Sequence, residues 1–245
     1  MEQIATSKEA LQGQKIVIIG GSAGIGLATA KSAAAKNAAV IIISSNQQRI
    51  NKALEELPET ATGYAIDVTN ETQVKNIFEQ IGAFDHLIYT AGENLQLGDL
   101  KDTSLAGAHQ FFEVRYWGAF SAVKYASPYV KGSIVLTSGI ASNRPGKGWS
   151  LGASICSAME GFARAMAVEL APVRVNIVSP GVVKTELWAG MSLVEQQEMF
   201  NQIGSSLPVK RVGNPDDLAK TYLYLIEQEY ATGQTIIVDG GASLV

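Results

Sequence analysis

Sulfur and charge are both scarce in this chain. One of its 245 residues is a cysteine, Cys156, so no internal disulfide can form, and a reducing compartment is expected. Charged residues make up 17%, and 19 basic against 23 acidic side chains leave a net charge of -4. A balance this mild and evenly spread gives neither nucleic acid nor an anionic membrane much to bind, and neither partner is expected. The longest apolar runs, such as residues 38–43, fall far short of a membrane span. Residues 1–11 are polar, without the apolar stretch of a secretory signal, which fits a cytoplasmic location. The two histidines, His86 and His109, stand alone with no metal-ligand spacing, so no metal is expected.

Hydrophobic residues, at 47%, are plentiful but come in short pieces. Seven runs recur, at 15–19, 39–43, 62–66, 86–89, 133–137, 173–178 and 235–238, each rich in β-branched residues. They are apolar at consecutive rather than alternate positions, as strands buried on both faces of a parallel sheet must be. Helical stretches long enough to cross over lie between them, for example 25–36 and 70–81. The second opens on Asn70 with Gln73 three residues later, the spacing of a capping box. The alternation predicts an α/β fold, one doubly wound, Rossmann-like parallel sheet forming a single domain. Residues 1–10, 139–150 and 185–207 are expected to be loose, the last as a lid, because ligands of such sheets bind beyond the carboxyl ends of the strands.

The first run leads straight into Gly20-Gly21-Ser22-Ala23-Gly24-Ile25-Gly26 and an alanine-rich helix. Glycines there let the backbone turn tightly and approach a pyrophosphate that sits against the helix N-terminal amides. The spacing is not the common dinucleotide fingerprint, and a ligand-free turn is the competing reading; strand before and helix after favour the cradle. The second run ends at Ser44-Ser45-Asn46 with Arg49 close behind. An acid there would hold a ribose diol and repel a 2′-phosphate. Its absence, with hydroxyl and amide donors in its place, favours NADP over NAD.

In order and spacing, several motifs together resemble the short-chain dehydrogenase/reductase family over essentially the whole chain. They are Gly20-x-x-x-Gly24-Ile25-Gly26, Asp67-Val68-Thr69, Ala91-Gly92, Ser138, Val173-Arg174-Val175-Asn176, Ser179-Pro180-Gly181 with Thr185, and Thr232-Gly233-Gln234 running to Asp239-Gly240-Gly241. The resemblance implies that Gly20, Ser22, Gly24, Ile25 and Gly26 cradle phosphates and that Asp67 and Val68 contact the adenine. It places Ala91 and Gly92 along the ribose, and Pro180, Gly181, Val183 and Thr185 at the nicotinamide. Asp67 can also be read as a polar residue closing a strand. A homotetramer is implied as well.

The family's usual machinery is an Asn, a Ser and a Tyr-x-x-x-Lys pair on one helix. Counting thirteen from Ser138 puts Leu151 at the tyrosine position and Ile155 at the lysine position, while Arg115 stands for the asparagine. Leucine and isoleucine neither give nor take a proton, and a missing general acid costs roughly two to four powers of ten in rate. Arg115 is read either as a guanidinium that holds a carboxylate or oxyanion in the pocket or as a surface or interface arginine. Tyr89, Tyr116 and Lys147 are candidate substitute acids, though such tyrosines also serve as packing. Trp149 and Trp188 are read as a pocket wall or as core cover. Two functions are therefore expected. One is an atypical NADP(H)-dependent oxidoreductase acting on a small carbonyl, alkene or imine-type substrate, with Ser138 and Arg115 as catalytic candidates. The other is an inactive dinucleotide sensor or partner subunit.

Overall fold

The computed structural model describes residues 11–92 and 98–245; the N-terminal ten, expected to be loose, lie outside the described residues. Seven parallel strands form one sheet: β1 (Lys15–Ile19), β2 (Ala39–Ser44), β3 (Thr62–Ala65), β4 (Phe84–Tyr89), β5 (Val130–Thr137), β6 (Arg174–Pro180) and β7 (Thr235–Val238). Their spatial order is β3-β2-β1-β4-β5-β6-β7. Among the described residues, the α-helices are α1 (Gly24–Ala34), α2 (Gln47–Leu54), α3 (Glu71–Ile81), α4 (Leu105–Phe112), α5 (Ala119–Ala126), α6 (Ser150–Glu169), α7 (Leu193–Ser206) and α8 (Pro215–Glu227).

The consecutive apolar residues have the purpose inferred for them. In β1, Val17 and Ile19 join the core shared with α3, α5 and α6, while Ile16 and Ile18 join the core under α1, α2 and α8. β2, β4, β5 and β6 likewise fill two cores at once, so a polar residue on either face, such as His86, must find a hydrogen-bond partner. The chain leaves β1 toward β2 on one side and returns to β4 on the other, which opens a crevice beyond their carboxyl ends.

Three local expectations change. Asn70 caps α3 by accepting from the Gln73 amide at 3.1 Å, but the Gln73 side chain accepts from the Asp67 amide at 2.8 Å instead of closing the box. The segment 185–207 is not loose: a 3₁₀ turn (Glu186–Trp188) and α7 fill it, and Ser192 with Glu195 forms a complete capping box. Trp188, Phe200 and Val212 give it a small core of its own, with the Trp188 indole donating to the Val183 carbonyl at 2.9 Å. The segment 139–150 holds a further 3₁₀ turn (Ile140–Ser142) and then enters α6.

His86 is buried in β4, with its ring nitrogens 2.8 Å from Ser133 Oγ and 2.8 Å from Gln14 Oε1. Burial lowers its pKa to about 4; Asp85 opposes the shift and Arg174 adds to it. An unfolded histidine takes up its proton near pH 6.5, so the folded state loses ground as pH falls from there toward 4. We expect the unfolding free energy to drop by about 2 kcal/mol between pH 7 and pH 5, with His86→Gln flattening that slope in urea titrations. Equal slopes in the two proteins would contradict this assignment.

Candidate active site

A cleft of about 900 Å³ opens at the carboxyl ends of the strands. Its first wall is the glycine turn after β1. Gly20 has φ +85, and a Cβ on it would stand 2.6 Å from the Ala91 amide nitrogen; a Cβ on Gly26 would strike the Gly20 carbonyl oxygen. Turn and helix are thus pressed together in a way only glycine permits. Ala23, at the N-cap of α1, supplies no side-chain cap, so the first amides of the helix face the cleft as donors for an anion. Gly20, Ser22, Gly24, Ile25 and Gly26 all line this wall.

At the outer end, Ser44, Ser45 and Arg49 line the cleft, and Ser22 Oγ donates to Ser44 Oγ at 2.8 Å. Asn46, expected beside them, does not line it: its side-chain oxygen accepts from the Arg49 amide at 3.0 Å and caps α2. Asp67 and Val68 border the cleft, with Asp67 Oδ1 holding its own turn by accepting from the amide and hydroxyl of Thr69. Asp67 thus closes the turn after β3 and borders the cleft at the same time. Ala91, Gly92, Pro180, Gly181, Val183 and Thr185 line it as well. Trp149 and Trp188 both stand in the wall.

Arg115 lies in a π-helical turn (Glu113–Gly118) that bulges the chain between α4 and α5. Its guanidinium lines the cleft, 5.7 Å from the Phe111 ring centroid and so close to Gly92 that a Cβ there would come within 2.7 Å. The surface reading of Arg115 is thereby set aside. Ser138 also lines the cleft, but its hydroxyl donates to Glu160 Oε1 at 2.8 Å, with the Cys156 carbonyl at 3.2 Å. The same Glu160 oxygen accepts from Ser142 Oγ at 2.6 Å. Glu160 was not singled out in the sequence, since only the fold brings it to its serines.

The substitute acids are placed elsewhere. The Tyr89 hydroxyl is spent on the Val114 carbonyl, and Tyr116 packs among Phe112, Trp117 and Phe162. Lys147 is exposed, 3.8 Å from Asp99. None of the three lines the cleft.

The face that α6 turns to the cleft also differs from expectation. Gly152 and Cys156 line it, while Leu151 packs against the core and Ile155 is 4% exposed within it. Gly139 lines it too; a Cβ there would sit 3.2 Å from Cys156 Sγ. Burial raises the Cys156 thiol pKa, against smaller opposing effects of Ser138 and Arg115, so the sulfur stays protonated.

The Enoyl-(Acyl carrier protein) reductase family model matches residues 20–243. Short-chain dehydrogenase/reductase ATR9 of Stachybotrys chlorohalonatus is 33% identical over 250 residues, covering 96% of this chain and 98% of its own. The chain belongs to the short-chain dehydrogenase/reductase family. A small-chain dehydrogenase solved in complex with NADPH is 38% identical, with a TM-score of 0.85 over 95% of this chain and 99% of its own. The MalC reductase/Diels-Alderase of Malbranchea aurantiaca is 26% identical, with a TM-score of 0.88 over 96% and 98%. The count from Ser138 to the tyrosine position starts one residue too early to reach the cleft-facing side of α6. Thirteen beyond Gly139 is Gly152, and four beyond that is Cys156. Gly139, Gly152 and Cys156 thus line the cleft at the spacing of Ser, Tyr and Lys, whereas Ser138 lines it without a partner at that spacing, Leu151 and Ile155 being turned to the core.

Proposed function

We propose that this protein is an NADP(H)-dependent oxidoreductase whose substrate, a small carbonyl, alkene or imine-type compound, needs little help from a tyrosine acid. The observation that carries this reading is a tight glycine turn at the start of α1 that shares one cleft with the Gly152 and Cys156 face of α6, no Tyr or Lys lining that cleft among the described residues. Bound NADPH would supply a hydride at its nicotinamide. The α1 amides and the turn Gly20–Gly26 would hold the pyrophosphate; Ser44, Ser45 and Arg49 would hold the 2′-phosphate with no carboxylate to repel it. Pro180, Gly181, Val183 and Thr185 would fix the nicotinamide end. Arg115, charged at every working pH, would stabilise negative charge that develops on the substrate. The NADPH complex of the 38% identical relative supports the cofactor choice.

The test is a titration with NADPH and, separately, NADH, followed by quenching of tryptophan fluorescence. We expect NADPH to bind at least tenfold more tightly, and Arg49→Glu to remove about tenfold of that preference, the worth of one exposed charge-assisted hydrogen bond. Equal affinities would overturn the 2′-phosphate assignment of Ser44, Ser45 and Arg49; no binding of either would remove the redox reading. Gly139, Gly152 and Cys156 favour a second reading, a dinucleotide sensor or partner subunit without turnover. Saturable NADPH binding with no hydride transfer to any activated carbonyl, alkene or iminium would select it.

A further inference from the structure

We propose that Glu160, acting through the Ser138 hydroxyl, carries the proton that accompanies hydride transfer in this cleft. The proposal rests on the oxidoreductase reading above. Residues 152, 156 and 160 follow one another at i, i+4 and i+8 along α6 and share its face. The first two hold Gly and Cys, and the carboxyl on this face lies one turn further along, at Glu160. Its carboxylate does not itself line the cleft, but Ser138 does, and the two are 2.8 Å apart.

The chemistry balances in both directions. In reduction, the substrate carbonyl carbon takes the hydride from the dihydronicotinamide, and the C=O π pair moves to oxygen. That oxygen takes the Ser138 hydroxyl proton as Ser138 Oγ takes one from the Glu160 carboxylic acid, and the carboxylate left behind regains its proton from solvent. In oxidation, the substrate hydroxyl gives its proton to Ser138 Oγ, Ser138 passes its own to the Glu160 carboxylate, and the hydride goes to the oxidised nicotinamide. With a hydroxyl already donating to a carboxylate, the resting arrangement is the one oxidation needs.

The charged and titratable groups near this cluster include Cys156, one turn back on α6 and coupled to Glu160, and the guanidiniums of Arg115, which acts on that thiol, and Arg144, which lines the same cleft. None competes for the proton: burial keeps the thiol protonated, and a guanidinium does not deprotonate. The partners contributed by β5 and the turn after it, Ser138 and Ser142, are hydroxyls. Ser142 touches the same Glu160 oxygen but does not line the cleft. That asymmetry separates a proton path from a clamp that merely holds the turn 138–142.

The experiment follows NADPH oxidation with 4-nitrobenzaldehyde across about pH 4 to 8. The Glu160 carboxyl is titrated in the cofactor-free protein by infrared spectroscopy with ¹³C-labelled glutamate, its band assigned by its loss in Glu160→Gln. We expect the reduction rate to fall tenfold per pH unit above the infrared midpoint, because only the protonated acid delivers. Glu160→Gln and Ser138→Ala should each flatten that limb and lower the rate at acid pH by about a hundredfold. Ser138→Ala should also raise the infrared midpoint, having removed a hydrogen bond to the charged form. Ser142→Ala should keep the slope. A slope that survives Glu160→Gln or Ser138→Ala would overturn the proposal, as would one lost equally in Ser142→Ala or a kinetic limb away from the infrared midpoint. A protein that binds NADPH but leaves the aldehyde untouched would overturn it too, whereas absence of NADPH binding would strike the oxidoreductase reading first. Should Glu160→Gln not fold, Ser138→Ala with its infrared midpoint decides alone.

Discussion

Replacing Gly152 by Tyr and Cys156 by Lys together is expected to raise carbonyl reduction by roughly two to four powers of ten, the usual worth of a general acid. Residues four apart on α6 point the same way, so the ammonium would lie beside the phenol and lower its pKa from about 10. Room exists for the tyrosine: a Cβ on Gly152 would meet only Trp149, at an ordinary 3.5 Å. Gly139→Ser would complete the set. The control is the pair one residue earlier, Leu151→Tyr with Ile155→Lys. It drives an ammonium into a site that is 4% exposed, and should unfold the protein at lower denaturant without adding activity. Steady-state rates with 4-nitrobenzaldehyde read both pairs. A gain from the 151/155 pair and none from the 152/156 pair would show that the helix face has been misassigned.

Gly26→Ala should have the second large effect, on cofactor binding. The added methyl would collide with the Gly20 carbonyl oxygen, a backbone atom that moves only if the whole turn shifts. Overpacking of this kind costs about 3 kcal/mol at the upper end of its range, equivalent to roughly a hundredfold weaker NADPH binding if the strain falls on the cradle. Isothermal titration together with a thermal melt divides the cost between binding and folding. NADPH binding unchanged by Gly26→Ala would mean that the cradle is not where the pyrophosphate sits.

The inner strands β1, β2, β4, β5 and β6 were legible because each serves two cores, which consecutive apolar residues satisfy. Their ends were less so: β5 begins at Val130 and β6 continues to Pro180, where neighbouring strands rather than local composition extend the ladder. The α6 register was lost for a physical reason. Ser138 carries a hydroxyl and attracts the count, whereas Gly139 carries no side chain and does not. Periodicity gave no correction, because residues 151–156 are small or apolar on every side of the helix. The α7 capping box, by contrast, was written in Ser192-x-x-Glu195 and passed over because the segment was expected to be loose. Glu160 had no local signal at all, its serines lying 22 and 18 residues away. Asn46 shows the reverse: a donor in a plausible place, spent on starting its own helix.

Because Cys156 is the chain's one sulfhydryl and stands in the cleft wall, the protein carries its own single-site label. The buried thiol should react sluggishly with iodoacetamide near neutral pH and faster as alkali exposes its thiolate. Whatever occupies the cleft should slow it further, so the extent of alkylation becomes an occupancy gauge that needs neither turnover nor an engineered residue.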